Sequence, residues 1–497
     1  MDPGPLTRNV RDELLAYFET HHRLVEEPAL EMILGSPRPW DLSQALVSSD
    51  PGPSPFVTLD MVRRMMETPP APRPREDGPR PYQLLSDPDP LGISGPLEGV
   101  EALLKGRFQR LTRILRGRPE LADRRPLSAL ARAEGEVAII AMLSDFRVTS
   151  KSHHRLLSLE DESGSAEVLV PRDLPEGADT FLPDEVLGLR VLPPRKEGGL
   201  AVARAIYRPD VPPRRTAKKA ARPSRVLLLS DLHIGSKGFL AEPWQDLVEF
   251  LRGRGPSPDL VEGLEHVVIA GDLVDGIGVY PGQEADLDIP DVVEQYAELG
   301  RRLRELPSHL NILAVPGNHD AVCPAEPQPA LPPELSRALP ANVHILPNPS
   351  TFLLEGLVVT AYHGRSFDEM IPRIPNARYE EPLPVMRRML SMRHLGPTYG
   401  GKTPLTPRAV DGLLLDPLPD LFVTGHTHTY GVERWRGSLL VNASTWLAET
   451  EYQRMRNIRP DPAKATLVDL AQGSVRTLDF LGRVDPAPVG IDGGETP

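Results

Sequence analysis

At 497 residues the chain is too long for one ordinary core, and roughly two to four domains are expected. Its 69 acidic and 56 basic residues give a formal charge of −13, which excludes a chain that coats nucleic acid by bulk charge but not a local basic groove. The single cysteine, Cys323, excludes a disulfide framework and a thiolate zinc site, and the 57 Pro and 40 Gly fall short of low-complexity disorder.

Residues 1–66 are expected to form a small helical domain. Val10, Leu14, Leu15 and Phe18 recur at helical spacing, as do Leu30, Met32, Ile33 and Leu34, then Phe56, Leu59, Met61, Val62 and Met65. Residues 67–96, containing TPPAPRPREDGPRP, are a Pro-rich linker, because proline fixes φ and removes a donor. Residues 97–209 hold a helix followed by a barrel. The helix has an apolar face of Leu97, Val100, Leu104, Phe108, Leu111 and Leu115, opposite an Arg-rich side expected to be exposed: Arg107, Arg110, Arg113, Arg116 and Arg118.

From residue 135 the period shortens. EVAIIAMLSDF, HHRLLSLEDESG, SAEVLVP, LGLRVLPP and GLAVARAIY are β-type runs between turn residues, fitting a five-stranded Greek-key barrel of the OB type. Residues 210–224 carry a cluster of cations among Pro and Ala and are expected to be a flexible basic linker, with phosphate contact as the alternative. A catalytic domain spans 225–485 and a tail 486–497. No apolar run is long enough to cross a membrane and the N-terminus lacks a signal-type core, so a soluble, cytoplasmic protein with no membrane partner is expected.

After Arg225, buried strands alternate with polar loops, and each strand ends in metal-type donors. RVLLLS leads to Asp231-Leu232-His233, and HVVIAG leads to Asp272, then Asp275. NILAVPG leads to Asn318-His319-Asp320, GLVVTAY to His363-Gly364, and LFVTG to His426-Thr427-His428. Alone, each is an ordinary turn or cap. Five in order, each behind an apolar run, place the donors along the C-terminal edge of a sheet, where α/β sites form. Carboxylate and imidazole donors without thiolates suit Mn, Fe or Zn at a catalytic centre. Two such ions can clamp an in-line displacement and lower the pKa of a bound water from roughly 15.7 towards 7, the requirement for phosphate-ester hydrolysis.

The order Asp-x-His, Gly-Asp-x-x-Asp, Gly-Asn-His-Asp, His-Gly and Gly-His-x-His resembles the calcineurin-like metallophosphoesterase superfamily. The resemblance implies a two-sheet αββα sandwich, giving overall an α+β multidomain chain. It implies two divalent ions, Mn²⁺ first and Fe or Zn as alternatives. One would be held by Asp231, His233, Asp272 and His428, the other by Asp272, Asn318, His363 and His426, with Asp272 bridging. His319 matches the non-ligand catalytic histidine, and Asp320 is expected to orient its ring.

Longer strings are more specific. DLHIGSKGF, GDLVDGIGVYPGQE, VPGNHD, YHGRSFDEMI, RHLGPTYGGKTPLTP and NASTWLAETEYQRMRNIRP resemble the small-subunit family of archaeal family D DNA polymerases, as does the order of the parts. That resemblance implies a proofreading 3′→5′ exonuclease acting on the single-stranded primer 3′ end, paired with a large catalytic polymerase subunit in the nucleoid. Gly396 stands where the family pattern leads one to expect Ala, and Ser444 where it leads one to expect Gly. The alternatives are a non-catalytic polymerase scaffold and a stand-alone phosphoesterase for small phosphate esters. Arg365, Lys402 and Lys237 are candidate substrate-phosphate contacts. His21, His22, His153 and His154 are expected at the surface, and Trp446 and Tyr452 are expected to pack beside the site or a partner.

Overall fold

The structure, a computed structural model, describes residues 5–21, 23–36, 39–48, 56–67, 82–86, 96–175, 180–194, 199–213, 215–254, 257–408, 410–455, 457–482 and 487–488. The stretch 68–81, His22, most of the 486–497 tail, and the side chains of Val10, Met65, Leu97 and Tyr452 lie outside the described residues. The chain divides into two compact units, 1–76 and 77–497. The first contains helices Pro5–Thr20, Glu27–Leu34, Pro39–Ser48 and Leu59–Glu67 around Leu14, Phe18, Leu30, Ile33, Leu46 and Val62. Phe56 does not join the last helix. It lies in a two-residue strand paired with Leu24–Val25 and is half exposed.

The second unit is built on two sheets. One runs in the order Val343–Ile345, Asn311–Val315, Leu264–Ala270, Arg225–Leu229, Lys464–Asp469, Val475–Asp479, Ala487–Pro488, its first four strands parallel and the rest antiparallel. The other runs Tyr430–Trp435, Ser438–Ala443, Leu421–Thr424, Leu357–Ala361, Ser350–Leu354, Gln83–Leu84, with parallel pairing at its centre. The strands read as unbroken apolar runs because both faces are covered. Val226, Leu228, Val268 and Ala270 point between the sheets towards Val359, Ala361, Val423 and Val441. Their alternates Leu227, Leu229, Val267 and Ile269 pack on Trp244, Leu247, Tyr296 and Leu299 of the helices Ala241–Leu251 and Val292–Arg304. On the far side Phe422 and Leu440 meet Val385, Met386 and Met389 of the helix Leu383–Met392. The layers are therefore helix, sheet, sheet, helix.

The five β-type runs form a closed barrel of strands Val137–Val148, Arg155–Asp161, Gly164–Val170, Ala201–Tyr207 and Val186–Leu192 in that spatial order. Three sequence expectations need correction. Arg107 is not on an exposed face of the helix Pro96–Leu115. It is fully buried, with Nε donating to Asp411 Oδ2 at 2.6 Å and Nη1 to the Pro397 carbonyl. The basic segment is no free linker: Arg215 donates to Asp420 Oδ1 at 2.5 Å and Ser438 Oγ at 2.6 Å, and Arg222 grips Glu265 and Glu355. Gln83–Leu84, inside the expected Pro-rich linker, adds a strand to the second sheet opposite Phe352 and Leu353. In each case the partner is too distant in sequence for composition to disclose it.

Candidate metal centre

Every donor singled out in the sequence follows the C-terminal end of a strand of the two sheets. Asp231 follows Arg225–Leu229, Asp272 follows Leu264–Ala270, and Asn318 and His319 follow Asn311–Val315. His363 follows Leu357–Ala361, and His426 and His428 follow Leu421–Thr424. Parallel register brings these ends to one edge of the sandwich.

The loops that carry the donors are backbone-strained. Asp231, His233, Asp272, His426 and His428 have φ of 52°, 49°, 48°, 69° and 58°, the left-handed region that non-glycine residues avoid. The loops hold one another in place. The Asp231 N–H donates to the Gly271 carbonyl at 3.0 Å, the His233 N–H to the Asp272 carbonyl at 3.0 Å, and the His426 N–H to Asp231 Oδ2 at 2.9 Å. Two motif glycines are required by close approach. A Cβ on Gly317 would lie 2.2 Å from Asp272 Oδ1, and one on Gly425 would lie 1.8 Å from Ser230 Oγ and 2.2 Å from Asp231 Oδ2.

Two donor clusters share Asp272. In the first, His428 Nε2 lies 3.1 Å from His233 Nε2 and 3.4 Å from Asp231 Oδ1, with Asp272 Oδ2 3.7 Å from His233 Nε2. In the second, the same Asp272 Oδ2 is 3.3 Å from His363 Nε2, which lies 2.9 Å from Asn318 Oδ1 and 3.2 Å from His426 Nδ1. Asp231, His233, Asp272 and His363 are all buried, whereas Asn318, His319 and His426 are partly exposed and mark the open side. Imidazole nitrogens facing each other at such distances around buried carboxylates suit a cation between them.

Electrostatics agree. Burial alone would raise the Asp272 carboxyl, but the imidazoles of His363, His319 and His233 reverse this and hold it well below its usual range. Burial would lower His363, yet the Asp272 and Asp231 carboxylates override it and lift it to about 10. The negative charge of the pocket thus calls for compensating positive charge, which divalent ions can supply.

A surrounding layer fixes the rings, and of its members only Asp275 stands in a metal-type motif of the sequence. Asp275 Oδ1 accepts from His233 Nδ1 at 2.9 Å, which leaves His233 Nε2 as the free donor. Asp368 Oδ2 lies 3.1 Å from His426 Nε2, and Tyr379 donates to its other oxygen at 2.9 Å. Gln453 reaches His428 Nδ1 at 2.9 Å. The expected His319–Asp320 pair is not formed. His319 Nδ1 donates to the Asp275 backbone carbonyl at 2.7 Å, while Asp320 accepts from the N–H of Gly317 and Leu273 and from the Tyr296 hydroxyl. Asp320 therefore braces the loop turn. Only the adjacency of Asp275 to the Asp272 motif was available in the sequence to suggest its role.

Among the described residues, the three basic candidates make no hydrogen bond or ion pair with the donors themselves. Arg365 Nη1 donates to the Pro324 carbonyl at 2.8 Å and Lys237 Nζ to the Ala285 carbonyl at 2.7 Å. Lys402 is exposed and its charge acts on Asp368. His21 and His153 are exposed and His154 is half-buried. Trp446 is buried edge-on to Trp244, and its main-chain N–H donates to the Asp231 carbonyl at 2.8 Å, so it forms part of the wall behind the site. Ser444 has φ 69°, where glycine is the easy residue, and its hydroxyl donates to the Asp461 carbonyl. At Gly396 an alanine Cβ would lie 2.9 Å from Ser366 Cβ.

The chain is similar in sequence to known proteins. A family model described as calcineurin-like phosphoesterase matches residues 224–430. The DNA polymerase II small subunit of Archaeoglobus fulgidus is 39% identical over 391 residues, 78% of this chain and 78% of its own. That of Thermoplasma acidophilum is 34% identical over 472 residues, covering 95% of this chain and 93% of its own, and that of Halobacterium salinarum is 39% identical over 394 residues. With a phosphoesterase domain at the strand ends and kinship along most of its length, the chain belongs to the archaeal DNA polymerase II small-subunit family.

Proposed function

We propose that the chain is the metal-dependent 3′→5′ proofreading exonuclease and accessory subunit of a two-subunit replicative DNA polymerase. The observation that supports this reading is the gathering of Asp231, His233 and His428 on one side of Asp272 and of His363 and His426 on the other, with Asn318, His319 and His426 partly exposed. Asp231, His233, Asp272 and His428 would hold one divalent ion, and Asp272, Asn318, His363 and His426 the other, with Mn²⁺ preferred. The ions, when bound, supply Lewis acidity and lower the pKa of a water at the site.

The chain's own groups do the rest. Asp275 holds the His233 ring and, through its carbonyl, fixes the Nδ1 proton of His319. His319 Nε2 is then the nitrogen left to face the substrate, and the doubly protonated ring can give its Nε2 proton to the leaving 3′ oxygen of the penultimate nucleotide. Burial lowers the His319 pKa, against the pull of Asp272, so the ring takes up its second proton less readily than a free imidazole. Asp368, backed by Tyr379, orients His426. The barrel, whose strand order fits the OB type, lies in the same compact unit and would guide the frayed single strand. A large catalytic polymerase subunit would supply the double-stranded part of the DNA channel. An intracellular, nucleoid setting follows from the substrate, and no helix among the described residues is long and apolar enough to cross a membrane.

The test compares wild type, Asp272→Ala and His319→Ala on 3′-labelled single-stranded DNA and on a small chromogenic phosphodiester with Mn²⁺. The expected result is stepwise release of nucleotides from the 3′ end by wild type and loss in both variants, with association with the large subunit retained. Undiminished nuclease in both variants refutes the assignment. Wild-type protein that holds no metal by elemental analysis points to a scaffold instead.

A further inference from the structure

The loop after Asp275 has an architecture that the metal centre does not require. Two fully buried glutamines build it from beneath. Gln295 Oε1 accepts from the Gly276 N–H at 2.8 Å, and its amide donates to the carbonyls of Gly276 and Ile289. Gln283 Oε1 accepts from the Val279 N–H at 2.9 Å, and its amide donates to the Asp275 carbonyl at 2.8 Å. Lys237 clips the far end through the Ala285 and Asp286 carbonyls.

This well-anchored loop presents an apolar tip to solvent. Ile277, Val279 and Tyr280 are 47%, 36% and 37% exposed. The Tyr280 ring is 6.4 Å from that of His319 at a 58° tilt, and its hydroxyl donates to Asp286 Oδ2 at 2.9 Å, which anchors the far end of the ring. The charged side chains within the loop are Glu284, Asp286 and Asp288, all exposed and all acidic, so the tip repels phosphate. An uncharged, flat, immobilised surface beside the reacting centre suits the uncharged part of a nucleotide.

We propose that Tyr280, flanked by Ile277 and Val279, is the platform on which the unpaired nucleobase at the DNA 3′ end stacks, and that it selects nucleoside diesters over small phosphate esters. This inference rests on the nuclease reading above. Stacking on an aromatic ring tolerates any base, which a proofreading site requires, and truncating such a ring typically weakens binding about tenfold or more.

The experiment uses the full chain with its large subunit and Mn²⁺, as wild type, Tyr280→Ala and Tyr280→Phe. The readouts are KM and kcat on 3′-mismatched DNA, turnover of a small chromogenic diester, and fluorescence of a 3′-terminal 2-aminopurine, which is quenched when stacked. Expected are a rise of about tenfold or more in KM for DNA in Tyr280→Ala, kcat within about threefold, an unchanged small-diester rate and loss of the quench. Tyr280→Phe, which keeps the ring, retains the quench. An active enzyme whose KM and quench are unmoved in Tyr280→Ala overturns the platform alone. Unchanged KM with loss of the large subunit on purification overturns it in favour of a protein interface. A wild-type enzyme that hydrolyses the small diester but leaves DNA intact overturns the nuclease reading and the platform with it.

Discussion

Arg107→Met probes the lock between the barrel helix and the catalytic sandwich. The side chains of Arg107 and Asp411 are 0% and 2% exposed, joined at 2.6 Å. Asp411 also faces His394 Nε2 at 2.9 Å and accepts from the Leu413 N–H at 3.0 Å. Burial would raise the Asp411 carboxyl, but Arg107 and His394 hold it far below its usual range. Methionine keeps much of the stem volume and removes the charge, leaving a carboxylate in the interior with one imidazole and one N–H. Breaking one side of a buried pair costs about 3–5 kcal/mol, roughly a thousandfold in the equilibrium that opens the helix. Hydrogen exchange at the Leu111 and Leu115 amides, with urea unfolding followed by tryptophan fluorescence, measures it. The double variant Arg107→Met/Asp411→Asn removes the orphaned charge and should recover at least half of the loss. A single variant within about 1 kcal/mol of wild type, or a double variant no better than the single, would refute the reasoning.

Asp368→Asn should weaken metal binding about 10- to 100-fold, because His426 loses the carboxylate that orients it, with Tyr379→Phe milder; calorimetric titration with Mn²⁺ checks both. Gly317→Ala should abolish metal uptake in elemental analysis while circular dichroism stays native, since its Cβ would displace the Asp272 carboxylate. In chelator-stripped protein, burial and the nearby Asp272 charge push Asp320 from 3.8 up to about 6. The fold then binds that proton more tightly than the unfolded chain, so this contribution is complete below pH about 4 and is lost as pH rises through about 6. The loss is about 3 kcal/mol. Asp320→Asn should flatten that slope in urea midpoints taken from pH 4 to 7, and an unchanged slope contradicts the assignment.

The donors of the centre were legible in the sequence because each one ends an apolar strand, so local pattern and tertiary position carry the same information. The helix around Arg107 shows the opposite case. A charged residue at helical spacing looks solvated until its partner is known, and Asp411 lies 304 residues away. Arg222 was obscure for the same reason, since Glu265 and Glu355 come from different strands and turns. The layer that orients the histidines was hidden by chemistry as well as distance. Asp368 and Tyr379 belong to no metal-type motif, and the group that fixes His319 is a main-chain carbonyl, which no residue letter encodes. Gln283 and Gln295 could be read as surface residues, although both are buried beneath the Tyr280 loop.

The strand that leads to Asp231 is hydrogen-bonded on one side to Leu264–Ala270 and on the other to Lys464–Asp469, close to the end of the sequence. Chains leave the ribosome N-terminus first, so during synthesis that second edge stays open until Lys464–Asp469 has emerged. An uncovered edge is a pairing surface for other strands, and the Trp446 main-chain N–H that steadies the Asp231 carbonyl also follows far along the chain. The Asp231 loop is therefore fully braced only once both Trp446 and Lys464–Asp469 are in place. A product that stops short of Lys464–Asp469 carries an open sheet edge beside the strand that leads to Asp231.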